Sequence, residues 1–86
     1  MNKEVLYGKT IKRFGQQSQI DKAIEECSEL ITVLCHARHN RATLDDVAEE
    51  IADVEIMCGQ LRLICGTDLV TEHERLKLDR LAKIIT

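Results

Sequence analysis

The sequence predicts an all-α fold, with four amphipathic helices joined by short connections and packed as a helical bundle. Three observations carry this. The 86 residues include no proline and only four glycines, so little interrupts helix. Tyr7 and Phe14 are the only aromatic residues, whereas strands draw on aromatic and β-branched side chains. Apolar residues also recur at helical spacing through four successive stretches. The length allows one domain, residues 1–86, with a core that is thin for a chain standing alone. Self-association is therefore expected.

The first helix runs from about Lys3 to Phe14, with Val5, Leu6, Ile11 and Phe14 on an imperfect stripe and Gly15 as its stop. Gly8 lies in its middle and costs about 1 kcal/mol relative to alanine. Either the first turn is loose or the helix begins after Gly8. Lys9, Lys12 and Arg13 read as a solvated face, or as a cluster that attracts the phosphates of an anionic ligand. Gln16-Gln17-Ser18-Gln19 is a polar junction in which Ser18 is the expected N-cap and Asp21 the first-turn acid. The second helix extends to about Arg38, with a broad apolar face from Ile20 to Leu34.

His36, Arg38, His39, Asn40 and Arg41 form a basic connection. Thr43-Leu44-Asp45-Asp46 then reads as a capping-box variant that starts the third helix, which continues to Gly66. Its second half is apolar on nearly all sides, so it is expected to be the most buried helix. Thr67-Asp68 or Thr71 opens the last helix, where Leu76, Leu78, Leu81 and Ile84 are apolar and Lys77, Arg80 and Lys83 form a basic strip.

Two acidic clusters stand out within these helices: Glu25-Glu26-Cys27-Ser28-Glu29 and Glu49-Glu50-Ile51-Ala52-Asp53. Each holds an acid-x-x-acid pair, Glu26/Glu29 and Glu50/Asp53. Residues three apart on a helix are surface neighbours, so each pair can place two carboxylates on one hard cation. Glu26 lies at the edge of the apolar face, in line with Leu30, Val33 and Ala37. Glu29 is rotated further out, and Glu25 lies towards the opposite side. Glu50 and Asp53 extend the line of Met57, Leu61 and Ile64. Burying such charges without a partner costs several kcal/mol. If the two helices are antiparallel, the pairs face each other as a four-carboxylate cage.

Mg²⁺ suits such a cage, with Mn²⁺ as a substitute, because it takes oxygen ligands and completes its shell with substrate phosphates. Divalent ions so placed activate water and stabilise charge at phosphorus. Lys77 and Arg80 are candidates to hold a polyphosphate. The competing reading is a solvated acidic face, in which Asp45, Asp46 and Glu49 only compensate the helix dipole. Cys35-His36-x-x-His39 reads as a polar helix end before it reads as a zinc site. A di-iron centre needs Glu-x-x-His, which neither cluster supplies.

The formal charge of −3 provides no electrostatic footprint for nucleic acid or an anionic membrane. No apolar run approaches the ~20 residues that span a bilayer, and Met1-Asn2-Lys3-Glu4 does not open a signal peptide. The cysteines Cys27, Cys35, Cys58 and Cys65 form no Cys-x-x-Cys. They read as small, buried, reduced hydrophobes of a cytoplasmic protein.

Glu25-Glu26-x-x-Glu29, then twenty residues, then Glu50-x-x-Asp53 resembles the EExxE…ExxD signature of MazG-like nucleotide pyrophosphohydrolases. Phe14-Gly15 before a glutamine-rich turn, the run Ala23–Leu30 and the run Glu49–Met57 are similar to short, phage-type members. The resemblance implies the all-α NTP pyrophosphatase fold. It also implies Mg²⁺-dependent hydrolysis of a (deoxy)nucleoside triphosphate to the monophosphate and pyrophosphate. Glu26, Glu29, Glu50 and Asp53 match the family's metal ligands, and Glu25 matches the signature's first acid. Lys77 and Arg80 resemble its phosphate-binding element. The resemblance implies a homodimer or homotetramer with the base held between helices, where Tyr7 and Phe14 are the available stacking residues. The alternative is a non-catalytic helical oligomer that binds nucleotide or protein and uses its acids structurally.

Overall fold

Residues 1–86 are described by a computed structural model, and its elements follow from local caps. Asn2 opens α1 (Lys3–Phe14), its side chain accepting a hydrogen bond from Val5 N at 2.8 Å. The helix runs unbroken through Gly8 and ends at Gly15, whose N–H donates to Ile11 O. Gly15 has φ +93°, a region that side-chain-bearing residues avoid. That single residue turns the chain, and α2 (Gln16–Arg38) begins at once. Ser18 is consequently not the N-cap expected from sequence; it lies inside the helix, after a corner made by backbone alone.

The end of α2 is a Schellman arrangement. Asn40 adopts φ +58°, its N–H donates to Ala37 O, and Arg41 N–H donates to His36 O. Thr43 and Asp46 form the expected reciprocal box at the start of α3 (Leu44–Cys65), with bonds of 3.1 and 2.8 Å. A second one-residue corner, Gly66 at φ +113°, leads into α4 (Thr67–Ile85).

The chain is all-helical, with four helices and no strands. Glu26 lies beside Glu50, and Ile20 and Ala23 lie near Leu61, so α2 and α3 form an antiparallel hairpin. Helix α1 packs on both, and most closely on α3, where Gly59 leaves room for the Tyr7 ring; a Cβ at that position would overlap it. Helix α4 packs only on α3. Arg62 ties it down by donating to Thr71 Oγ1 at 3.0 Å and pairing with Glu74 at 3.4 Å. From Thr71 to Thr86 every residue is exposed.

Only five residues are buried: Ala23, Met57, Gln19, Glu26 and Gln60. Three of these are polar, so the interior is small and mixed. As expected, α3 is the most covered of the four helices, with more buried and half-buried residues than any other. All other helices rest on it, yet Ile56, Cys58, Leu63 and Cys65 in its second half remain exposed. The cysteine expectation is corrected: all four are free thiols, but all are exposed. The accessible surface is 6834 Å², against about 5,200 Å² for a folded monomer of this mass. The radius of gyration is 15.4 Å, against about 12 Å.

Candidate functional site

The acidic pairs meet across the α2–α3 hairpin. Carboxylate oxygens of Glu26, Glu29 and Glu50 lie within 4.8 Å of one another. Glu26 is buried and Glu50 half-buried, and Oε2 of each is enclosed without a hydrogen-bond partner. Glu26 Oε1 has one neighbouring cation, Lys22 Nζ at 3.3 Å, one turn earlier on α2. Glu29, exposed, completes the group from the turn after Glu26, as the acid-x-x-acid spacing requires.

These acids perturb one another. Glu29 is held above the usual carboxylate range by a hydrogen bond shared with Glu26 and then by Glu26's charge, with Glu50 and Glu25 adding to it. Glu50 is also raised, first by loss of solvent around it and then by the charges of Asp53, Glu26 and Glu49. Lys22 is raised in turn by its bond to Glu26 and by the surrounding carboxylates. Buried carboxylate oxygens without a partner, as on Glu26 and Glu50, are groups that a cation would satisfy. Three oxygen ligands fit a hard divalent ion.

Beside the cluster, α1, α2 and α3 enclose an open cavity of about 590 Å³. Glu25, Glu26, Asp53 and Lys22 line part of it. Gln19, Gln60, Met57, Ile56, Phe14 and Thr10 line much of the rest. The structure thus divides the sequence candidates. Glu26, Glu29 and Glu50 form the close group, while Asp53 and Glu25 stand one turn or less away, facing the adjoining cavity. Phe14 is at that cavity, 58 % exposed, with the Arg13 guanidinium 5.1 Å from its ring centroid. Tyr7 is packed on Gly59 and does not line the cavity. Lys77 and Arg80 sit on the exposed part of α4, and neither lines the cavity. His36 and His39 are exposed at the end of α2.

Sequence reasoning missed Gln19, Gln60 and Lys22. Gln60 falls on an apolar stretch of α3, between Gly59 and Leu61, and a polar residue inside such a stretch was the available signal. Lys22 precedes Glu26 by four residues, the spacing of a helical ion pair. No protein-family model, curated protein or solved structure matches the chain.

Proposed function

We propose that the chain is a Mg²⁺-dependent nucleoside triphosphate pyrophosphohydrolase of the MazG-like type, converting a (deoxy)nucleoside triphosphate to the monophosphate and pyrophosphate. The observation that carries this reading is that Glu26 and Glu50, each with a buried partnerless Oε2, are brought together with Glu29 by the packing of α2 on α3, beside a nucleotide-sized cavity. Glu26, Glu29 and Glu50 hold the cation, and Asp53 joins them from the next turn of α3. The ion supplies electrostatic stabilisation of charge on the phosphates. Glu25 lines the cavity from the same turn as Glu26 and is placed to accept a proton from water. Lys22 neutralises part of the acidic charge and faces an anionic substrate.

The reading includes a homo-oligomer, a homodimer or homotetramer. Exposed Ile24, Ile31 and Leu34 give α2 an unpartnered apolar face. Ile24 and Ile31, with Ile20, Ala23, Cys27 and Leu61, line an apolar groove of about 430 Å³. The surface in excess of a compact monomer is roughly 1,600 Å² per chain. Covering it across a pair buries about 3,200 Å², within the range of obligate homodimers. In such an assembly Lys77 and Arg80 are proposed to reach the phosphates. No helix is long and apolar enough to cross a membrane.

The test is pyrophosphate release from a panel of NTPs and dNTPs with Mg²⁺, with Glu50→Gln and Asp53→Asn run beside the parent. Release that needs Mg²⁺ and disappears in both variants supports the reading. A folded, Mg²⁺-binding protein that releases none points to the non-catalytic oligomer instead.

A further inference from the structure

Gln60 is the most deeply buried residue in the molecule, 3 % exposed, and Gln19 is 7 % exposed. Both line the cavity beside the acids. Gln60 Nε2 donates only to Met57 Sδ, at 3.9 Å, and its Oε1 is buried with no partner. A thioether is a weak acceptor, so this contact orients the amide without satisfying it. Leaving an amide oxygen unpaired in an interior is costly, and a fold built only for stability would place Leu or Met there. The terminal torsion of a glutamine side chain is broad, so a small turn brings its oxygen to a group held in the cavity.

The surroundings specify that group. A carboxamide presents a donor and an acceptor side by side in one plane, which matches the edge of a nucleobase. Bases in protein pockets are read by such hydrogen bonds together with stacking on apolar and aromatic side chains. Here Met57 and Ile56 offer apolar walls and Phe14 an exposed ring. Asp53 precedes Gln60 by two helical turns, about 10 Å along α3, so the Gln60 amide stands apart from the Glu26 and Asp53 carboxylates, while Asp21 also lines the cavity.

Building on the nucleotide reading above, we propose that Gln60, with Gln19 beside it, takes the hydrogen-bonding edge of the nucleobase and determines base specificity. Phe14 covers one face of the base, and the phosphates point to the Glu26 and Asp53 carboxylates. Sugar and phosphates are common to all nucleotides, which leaves the two amides to discriminate among bases.

The test is calorimetric titration of the full chain with the four 2′-deoxynucleoside monophosphates, without divalent cation, so that binding is read apart from hydrolysis. Wild type is expected to prefer one base. Gln60→Met is expected to melt no lower than wild type, to bind the preferred monophosphate roughly tenfold more weakly, and to bind all four about alike. Gln19→Met is expected to reduce the same preference. Gln60→Asn, which keeps the amide but withdraws it by one methylene, provides a second variant at Gln60 should Gln60→Met not fold, and is expected to weaken the preferred base. Retained preference in the folded variants overturns the proposal, as does wild type that binds no monophosphate or binds all four equally. Base-selective binding without pyrophosphate release retains this assignment and removes the hydrolase reading. Release with unchanged base preference in the glutamine variants does the reverse.

Discussion

Mg²⁺ is expected to raise the melting temperature of this chain, and Glu50→Gln to abolish most of that rise. The oxygens of Glu26, Glu29 and Glu50 are within 4.8 Å of one another. An octahedral Mg²⁺ at about 2.1 Å from each ligand sets adjacent oxygens about 3.0 Å apart and opposite ones about 4.2 Å apart. The remaining closure is within reach of side-chain torsions, because Glu29 is exposed and free to turn. An ion bound only by the folded state, at a hundred times its dissociation constant, stabilises by about 2.7 kcal/mol. At about 4–8 °C per kcal/mol for a domain of this size, the midpoint should rise by roughly 10–20 °C. The assay is far-UV circular dichroism melting in MgCl₂, against NaCl at matched ionic strength. Glu55→Gln, on an exposed position of α3, serves as the control. Equal midpoints in the two salts, or a full shift retained by Glu50→Gln, would refute the cage.

The pH dependence follows the same chemistry. Glu29 and Glu50 are raised from 4.5 in the fold, so the stability linked to them is fully present below pH 4.5. It is lost as pH rises through their folded-state values. Without divalent ions the midpoint should therefore fall across that window as pH rises, and Mg²⁺ should remove the fall. Asp46 behaves oppositely. Hydrogen bonds from Thr43 hold it below 3.8, so its contribution is present above pH 3.8 and is lost as pH falls through its lowered value.

Other expectations concern the frame. Thr43→Ala removes the capping box of α3 and should cost about 0.5–2 kcal/mol in urea unfolding; an unchanged midpoint would mean that the box is idle. Gly59→Ala drives a methyl group into the Tyr7 ring and should cost about 1–3 kcal/mol, with Tyr7→Leu in the same chain restoring part of it. If the α2 face is an interface, Ile31→Lys should shift the sedimentation profile towards monomer, and a profile identical to wild type would place the interface elsewhere.

Much of the frame was legible because it is local. The Thr43 cap, the stops at Gly15 and Gly66, and the helical periods all act within a few residues of sequence. The acid-x-x-acid pairs were legible for the same reason, since one helical turn fixes Glu26 beside Glu29. Ser18 was misread because Gly15 turns the chain by itself at φ +93°, and nothing in the side-chain pattern distinguishes a one-residue corner from a capped start. The cysteines were misread because their burial depends on which helix faces them, and α4 leaves Cys58 and Cys65 uncovered.

By itself, then, the sequence determined four helices and two acidic pairs of the right spacing, because backbone hydrogen bonds and helical periodicity are short-range. Only the tertiary structure decided that Glu50 joins Glu26 and Glu29 while Asp53 faces the neighbouring cavity. It alone placed Phe14 at the cavity that adjoins the acids, left Tyr7 to pack on Gly59, and buried Gln60 without a partner for its oxygen. Those outcomes depend on the register of α2 against α3 and on where α1 crosses them. Register is fixed by the packing of residues tens of positions apart, which no local pattern contains.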